Sequence, residues 1–246
     1  MFKKQIIHLP ETNSTNACLI DLIKTNHPDE GTVVLAEYQT AGRGMDDNLW
    51  ESEKGKNLTF SLLLYPPFTA DKQFILNKAI STGISDFLTN ELSGNLVRVK
   101  WPNDIYIKDK KVCGMLIQNS ITGVRFDYSV VGIGLNVNQM AFLSDAPNPV
   151  SMKMVTGIEY PLPEILDNLL ASIAKRYQQV CTGFQEKIEN DYQSVLYRLG
   201  EWHNFDLQGV CHKARITGTN EYGQLLLETE DGKLRVYDVK EVKFVI

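Results

Sequence analysis

The chain has 246 residues, of which 43% are hydrophobic and 22% charged, and its formal net charge at pH 7 is -5. This length can bury a large core and fits one large domain, or a large domain with a small one. No apolar run approaches the roughly 20 residues of a membrane span, and residues 1–10 lack the features of a signal peptide. A negative net charge argues against a general nucleic-acid binder. We therefore expect a cytoplasmic protein that binds neither membranes nor specific DNA.

The four cysteines, Cys18, Cys113, Cys181 and Cys211, are far apart in the sequence. They form no CxxC pair and have no spacing typical of metal ligands. This pattern predicts separate reduced thiols and argues against a structural zinc site.

The first elements in chain order are a short strand at residues 4–9 and a helix that Asn13 or Ser14 caps. Two strands follow, at residues 32–38 and 58–65, separated by the polar, glycine-bearing stretch 39–57. A loop of this length between two buried strands is typical of a functional segment.

The central part of the chain is predicted to continue with a long helix and a group of strands. Helical periodicity covers residues 71–92, and Gly94 is a plausible stop. The predicted strands that follow are residues 96–101, 105–107, 112–118 and 124–138, the last with a break at Gly132.

Two amphipathic helices are predicted at residues 162–182 and 184–199, punctuated by Gly183 and Gly200. From Asp206 onward, short strands alternate with turn signals, which predicts a small β-barrel of about forty residues. We expect two domains, residues 1–200 and residues 201–246.

The segment Ala41-Gly42-Arg43-Gly44 follows a strand, where backbone N–H groups could approach an anion closely. Taken alone, the motif is better explained by a surface turn with one solvated arginine. It becomes informative only in combination with other motifs.

The run from Val97 to Asp104 ends a strand in Trp101-Pro102-Asn103-Asp104. Pro102 cannot donate to a central ladder, so the strand should end or bulge there. A functional cluster and plain turn chemistry explain this run equally well. Lys111 opens the apolar strand that follows, so its ammonium could be held over a site, although most lysines at hairpins are merely solvated.

Gly132 and Gly134 lie in a strand that otherwise reads as buried. Their missing side chains could leave room for a ligand or for another backbone, and tight sheet packing would explain them equally well.

The order and combination of five motifs carry a resemblance. These are Ser14-Thr15-Asn16, the run from Ala36 to Gly44, Val99-Lys100-Trp101-Pro102-Asn103-Asp104, Lys111-Val112-Cys113-Gly114 and the run from Gly132 to Asn138. In these motifs the chain resembles the biotin protein ligases over nearly its whole length. The resemblance implies an α+β fold with a mixed central sheet and flanking helices, like class II aminoacyl-tRNA synthetases, and a small SH3-like barrel.

The activity that the resemblance implies is ATP-dependent formation of biotinyl adenylate, followed by transfer of biotin to a lysine of a biotin carboxyl carrier protein. Hydroxyl and amide groups suit the neutral, polar head group of biotin. The positions that match the biotin site of the family are Ser14, Thr15, Gln39, Gly42, Arg43, Lys111, Gly114, Leu116, Gly132 and Gly134.

The first reaction joins two anions, so the site must neutralise growing negative charge. By resemblance, Lys111 is the principal electrostatic catalyst, with Arg43 beside it, and Asp104 also helps the carrier lysine to lose its proton. The positions that match the nucleotide site are Arg43, Trp50, Lys100, Asn103, Lys111 and Asn136. ATP and Mg²⁺ are implied; the metal ligands are not.

Some family members carry an N-terminal DNA-binding domain, and we expect this chain to be of the monofunctional type. The oligomeric state is left open between a monomer and a homodimer. Two alternatives are considered: a lipoate or octanoate protein ligase of the same fold, and a non-catalytic protein that binds biotin.

The chain departs from the family pattern at Met45-Asp46-Asp47-Asn48, where many members have further arginines. One hypothesis is that the loop closes through Arg43, backbone N–H groups and Trp50. The other is that the two acids recruit a metal ion. We favour the first, because adjacent acids in a loop are more often solvated than ligating.

Overall fold

The computed structural model describes residues 5–45, 49–94, 96–144 and 148–245. Asp46, Asp47 and Asn48, on which the two hypotheses about the acidic loop depend, lie outside the described residues. The helices are α1 (Thr15–Asn26), α2 (Gln73–Glu91), α3 (Met152–Thr156), α4 (Leu162–Cys181) and α5 (Gln185–Ser194). The strands are β1 (Gln5–Leu9), β2 (Thr32–Ala36), β3 (Leu58–Leu64), β4 (Val97–Lys100), β5 (Asp104–Ile107), β6 (Lys110–Thr122), β7 (Arg125–Leu135), β8 (Trp202–Leu207), β9 (Val210–Thr219), β10 (Leu225–Thr229), β11 (Leu234–Tyr237) and β12 (Val242–Phe244).

Within the described residues, the larger sheet has seven strands in the order β1-β2-β3-β7-β6-β5-β4. β1 and β2 are parallel, and the other neighbouring pairs are antiparallel. The sheet is therefore mixed, as expected. Its central strand β7 runs from Arg125 to Leu135 without interruption, so the predicted break at Gly132 is wrong. A glycine weakens a strand, but β3 and β6 pair with β7 on both sides and keep it continuous.

The two faces of this sheet differ because side chains alternate along each strand. On one face, residues such as Leu62 and Val131 join the main core, which also includes residues of α2 and α4. On the other face, Leu63 and Val130 pack with Leu19 of α1. Further along this second face the sequence turns polar or small, with Ser61 on β3 and glycines on β7. The face is therefore apolar under α1 and polar beyond the N-terminus of α1.

Several element ends differ from the predictions by a few residues. β2 ends at Ala36 instead of residue 38, and α5 ends at Ser194 instead of residue 199. β4 ends at Lys100, two residues before Pro102, and the Trp101–Pro102 peptide bond is cis. The expectation that the strand stops at this proline is confirmed.

A second antiparallel sheet has five strands among the described residues, in the order β11-β10-β9-β8-β12. It begins at Trp202, four positions earlier than the change of pattern at Asp206 suggested. Its turn at Gly223 adopts φ 86°, which favours glycine, and the carbonyl oxygen of Gly223 accepts a hydrogen bond of 2.8 Å from Trp101 Nε1. The second sheet is therefore tied to the end of β4. The expected division into residues 1–200 and 201–246 stays a prediction.

All four cysteines are free. No helix in the described part of the chain is long and apolar enough to span a membrane.

Candidate functional site

A cleft of about 1040 Å³ opens on the polar part of the sheet face, beside the N-terminus of α1. The loop that follows β2, the chain after Lys100 and the last strand of the second sheet form its walls. Its lining includes Ser14, Thr15, Asn16, Gln39, Arg43, Trp50, Lys100, Asn103, Asp104, Lys111, Gly114, Leu116, Gly132, Gly134, Asn136, Lys240, Lys243 and Phe244. The cleft therefore brings together residues from both sheets.

The floor of the cleft is made of glycines on adjacent strands. Gly114 on β6 pairs with Gly134 on β7, and both face the indole of Trp50. A Cβ added at Gly134 would lie 2.3 Å from Trp50 Cε2, and one at Gly132 would lie 2.4 Å from Asn16 Oδ1. Each glycine therefore leaves space that a neighbouring cleft residue fills, so close packing explains both glycines, and room for a ligand stays a prediction.

One part of the cleft, which we call the neutral end, consists of Ser14, Thr15, Asn16, Gln39, Leu116 and Gly132. Gln39 Oε1 accepts a hydrogen bond of 2.8 Å from the Thr15 backbone N–H and lies 3.1 Å from the Thr15 hydroxyl oxygen. Ser61 lies beneath, with its Oγ 2.7 Å from Thr15 Oγ1 and 2.5 Å from Asn16 Oδ1. None of these side chains carries a charge, so this end suits a neutral, polar ligand group.

Another part, which we call the charged end, consists of Lys100, Asp104, Lys111, Lys240 and Lys243. Lys111 Nζ lies 2.7 Å from Asp104 Oδ1 and 5.6 Å from the centre of the Trp50 ring. The backbone of Lys111 is fixed by hydrogen bonds of 2.8 and 2.9 Å with Asn148 and Val150. Lys111 is the second residue of β6, and its ammonium is paired with Asp104 in the cleft.

The second sheet contributes to the charged end through β12. Lys100 Nζ lies 4.5 Å from the Phe244 ring centre and 5.5 Å from that of Tyr106. Burial lowers the pKa of the Lys100 ammonium, whereas the negative charge of Asp104 acts in the opposite direction. Aromatic faces attract a cation, so they offset part of the cost of burying it.

Two asparagines hold neighbouring backbone at this end. Asn103 Nδ2 donates to the carbonyl oxygen of Met115 at 2.5 Å, and Asn136 Nδ2 donates to that of Val150 at 3.1 Å. Asn136 Oδ1 and Trp50 Nε1 are buried without a hydrogen-bond partner in the described structure. An acceptor and a donor that are both buried and unpaired suit a ligand that bonds to them.

The structure brings nearly all of the sequence-predicted site residues to this one cleft. Gly42 is the exception, because it does not line the cleft within the described structure. A Cβ added at Gly42 would lie 3.0 Å from Gln39 Nε2 and 3.1 Å from the carbonyl oxygen of Trp50, so Gly42 lets these two residues approach each other. Gly42 therefore contributes to the site through the packing of Gln39 against Trp50.

Several contributors have no role in the sequence predictions: Asn16, Ser61, Lys240, Lys243 and Phe244. The available signal for Ser61 was a single serine inside an otherwise apolar strand core, Phe60 to Leu64. Phe244 carried no signal, because only the docking of the second sheet brings it to Lys100.

Comparison with known proteins identifies the class. Residues 9–136 match the model of the biotin/lipoate A/B protein ligase family, which is more than half of the chain. The chain therefore belongs to the biotin/lipoate A/B protein ligase family.

Among named relatives, the chain is 31% identical to the bifunctional ligase/repressor BirA of Bacillus subtilis, over 95% of this chain and 72% of that protein. It is 32% identical to the biotin–[acetyl-CoA-carboxylase] ligase of Paracoccus denitrificans, over 78% of this chain and 81% of that one. Among solved structures, it is similar to the biotin protein ligase of Aquifex aeolicus in complex with biotin and ATP, with a TM-score of 0.82, 27% identity and 99% of both chains covered. The expected α+β fold with a mixed central sheet is confirmed.

Proposed function

We propose that this chain is an ATP-dependent biotin protein ligase. It joins biotin and ATP to biotinyl adenylate and pyrophosphate, and then transfers the biotinyl group to a lysine of a biotin carboxyl carrier protein. The observation that carries the proposal is the joining of a neutral end and a charged end in one cleft, over a floor of glycines. The relatives named biotin ligases, and the similar structure that holds biotin and ATP, support the same reaction.

Biotin fits the cleft when its neutral ring system lies at the neutral end and its carboxylate points toward the charged end. The two ends are close, because Gly132 and Gly134 are two positions apart on β7, about 7 Å along a strand. The adenine would meet the unpaired Asn136 Oδ1, which can accept a hydrogen bond from an amino group. Both substrates then meet beside Lys111.

In the first step, an oxygen of the biotin carboxylate attacks the α-phosphorus of ATP, and the bond to the pyrophosphate oxygen breaks. Negative charge grows on the phosphoryl oxygens in this step. The Lys111 ammonium, fixed 2.7 Å from Asp104, is already oriented before the charge develops. Such preorganised charge stabilises the transition state without the cost of reorientation. Arg43 and Lys100 add positive charge along the same cleft.

In the second step, the neutral amine of the carrier lysine attacks the carbonyl carbon of biotinyl adenylate. An amide bond forms, the bond to AMP breaks, and the amine loses a proton. Asp104 lines the cleft beside the reacting atoms and is the carboxylate that we propose to receive this proton.

Mg²⁺ is part of the proposal, because ATP reacts as its magnesium complex. No group of three or more His, Cys, Asp or Glu side chains suited to a metal occurs in the described ranges. Mg²⁺ bound to a triphosphate nevertheless needs only one or two protein carboxylates. The Asp104 carboxylate and the Asn103 amide oxygen are the ligand types that fit. When bound, the ion would neutralise phosphate charge.

The test is to incubate the protein with biotin, MgATP and a biotin carboxyl carrier domain, and to measure the mass of the carrier. We expect the addition of one biotinyl group to a single lysine, dependent on ATP, with one pyrophosphate released. The matched control replaces that lysine of the carrier with arginine, which should abolish the mass change.

The other outcomes separate the alternatives. Attachment of lipoate or octanoate in preference to biotin, under matched conditions, would make the chain a ligase for those acids. Tight binding of biotin without pyrophosphate release would make it a non-catalytic binding protein. The location in the cytoplasm, the absence of specific DNA binding and the oligomeric state stay predictions.

A further inference from the structure

Ser61 is fully buried beneath the neutral end of the cleft. We propose that it fixes the Thr15 hydroxyl as a hydrogen-bond acceptor, so that this end selects a ligand that donates an N–H. Ser61 is then a positioning residue that determines specificity without touching the ligand. The inference rests on the proposed function, because biotin is the ligand whose recognition it explains.

The carbonyl oxygen of Leu116 can only accept a hydrogen bond. The carbonyl oxygen of Leu116 lies 3.3 Å from Asn16 Nδ2, and Gln118 Oε1 lies 2.8 Å from the same nitrogen. Since a carbonyl oxygen has no proton to give, the Asn16 amide must direct its NH₂ group toward Leu116. Asn16 Oδ1 therefore faces Ser61.

Ser61 has a single hydroxyl proton, and two neighbouring oxygens lie within hydrogen-bond distance of its Oγ. Ser61 Oγ lies 2.5 Å from Asn16 Oδ1, which cannot donate, so Ser61 gives its single proton to Asn16. Ser61 Oγ also lies 2.7 Å from Thr15 Oγ1. Two hydroxyl oxygens at this distance share one proton, and since Ser61 has given its own to Asn16, it comes from Thr15. Ser61 Oγ at 2.7 Å is nearer to Thr15 Oγ1 than Gln39 Oε1 at 3.1 Å, so the Thr15 proton goes to Ser61. With its proton used in this way, Thr15 Oγ1 can only accept a further hydrogen bond from a ligand.

Gln39 is oriented by a separate backbone group. The Thr15 backbone N–H donates to Gln39 Oε1 at 2.8 Å, so the Gln39 amide places its oxygen toward Thr15. The Gln39 NH₂ group therefore points away from Thr15, on the side of Gly42. The neutral end presents Thr15 Oγ1 as an acceptor.

The Thr15 acceptor complements a cyclic urea, whose N–H donates. A dithiolane ring or an alkyl chain has no N–H, so it would leave the Thr15 acceptor without a partner in a desolvated site. Without Ser61, the Thr15 hydroxyl would keep only the longer 3.1 Å contact with Gln39 Oε1, and it could rotate and donate to a ligand instead. The hydroxyl of Ser61 thereby excludes ligands that the shape of the cleft alone would admit.

The test measures dissociation constants of Ser61→Ala for biotin, for desthiobiotin, which keeps the urea, and for biotin methylated at a ureido nitrogen. We expect affinity for the first two to fall about tenfold, the scale of one hydrogen bond, and affinity for the methylated compound to change little. The preference for biotin over the methylated compound should fall by the same factor. Ser61→Thr, which keeps the hydroxyl, should restore it.

The matched control is Ser129→Ala, which removes another fully buried serine hydroxyl of the same sheet, bonded at 2.8 Å to Asn119 Oδ1. It should keep the wild-type preference. If Ser61→Ala does not fold, Ser61→Cys provides the same comparison with a similar side-chain shape.

An equal loss of affinity for all three compounds, or no loss, would overturn the role of Ser61 and leave the proposed function intact. Failure of the unchanged protein to bind biotin would overturn the proposed function and this inference with it.

Discussion

At the neutral end of the cleft, hydroxyl and amide groups on α1, on β3 and in the loop after β2 form hydrogen bonds with one another. These hydrogen bonds already use the hydroxyl protons of Thr15 and Ser61. At the charged end, Lys111 and Asp104 form an ion pair, and Lys100 lies against aromatic rings from two sheets. The neutral end is thus built from the larger sheet, α1 and the loop after β2, whereas the charged end also depends on how the second sheet docks.

The difference indicates a division of labour between recognition and chemistry. Neutral donors and acceptors lose the most when a ligand fails to match them, so they give specificity. Preorganised charges matter most when charge develops during reaction, so they give rate. Substitutions at one end should therefore change a different measured quantity from substitutions at the other.

The largest effect is expected for Lys111→Ala. Removing one preorganised donor costs about a hundred- to thousand-fold in rate, so formation of biotinyl adenylate should fall by that factor. The affinity for biotin should change much less. The measurement is single-turnover pyrophosphate release, with Lys110→Ala, an exposed neighbour on the same strand, as the control. Near wild-type adenylation by a folded Lys111→Ala variant would reduce Lys111 to a surface charge.

A pair of glycine variants should separate the two ends. In Gly132→Ala the new methyl group would lie 2.4 Å from Asn16 Oδ1, so the affinity for biotin should fall about tenfold or more. In Gly134→Ala it would lie 2.3 Å from the Trp50 ring, so the KM for ATP should rise by a comparable factor. Titration calorimetry with biotin and initial rates at varied ATP give the two quantities. Equal effects of both variants on both substrates would contradict the division.

A smaller effect is expected where the second sheet meets the charged end. Trp101→Phe removes the 2.8 Å hydrogen bond to the carbonyl oxygen of Gly223, which should lower the free energy of unfolding by about 1 kcal/mol. The KM for ATP should rise, because Lys100 packs against Phe244 of the second sheet, whose docking the variant weakens. The affinity for biotin should stay unchanged. Trp202→Phe, at a more exposed tryptophan, is the control for urea unfolding. A loss confined to biotin affinity would reverse the assignment of the ends.

The smallest effect concerns Glu51, beside Trp50 at the rim of the cleft. Partial burial raises the pKa of Glu51, but hydrogen bonds from Ser144, Leu143 and Gln139 lower it. Together the hydrogen bonds outweigh burial, so the net pKa is below its usual 4.5. A lowered carboxyl pKa stabilises the fold above pH 4.5, and this contribution is lost as the pH falls through the folded-state pKa.

We therefore expect Glu51→Gln to be less stable than the wild type at pH 6, and this difference to shrink as the pH is lowered below 4.5. Urea unfolding at a series of pH values measures it. Glu53→Gln, at an exposed position nearby, is the control variant. A difference that is independent of pH would mean that the carboxylate charge of Glu51 is not what holds the rim.

Most elements of the fold could be predicted because hydrophobic periodicity and turn residues are local signals. The long helix that became α2 and the end of β4 before Pro102 follow from such signals, as does the presence of a β-rich tail. The continuity of β7 through Gly132 could not be predicted in this way, because β3 and β6 decide it from both sides.

For the site, the family resemblance carried by the ordered motifs predicted residues that, except for Gly42, line the cleft in the described structure. Sequence could not show that Lys100 lies between Tyr106 and Phe244, because Phe244 is separated from it by most of the second sheet. Nor could it assign the proton of Thr15, which depends on distances among Thr15, Ser61 and Asn16 on different elements. Residue types carry the chemistry that is available, and only tertiary packing decides which donor faces which acceptor.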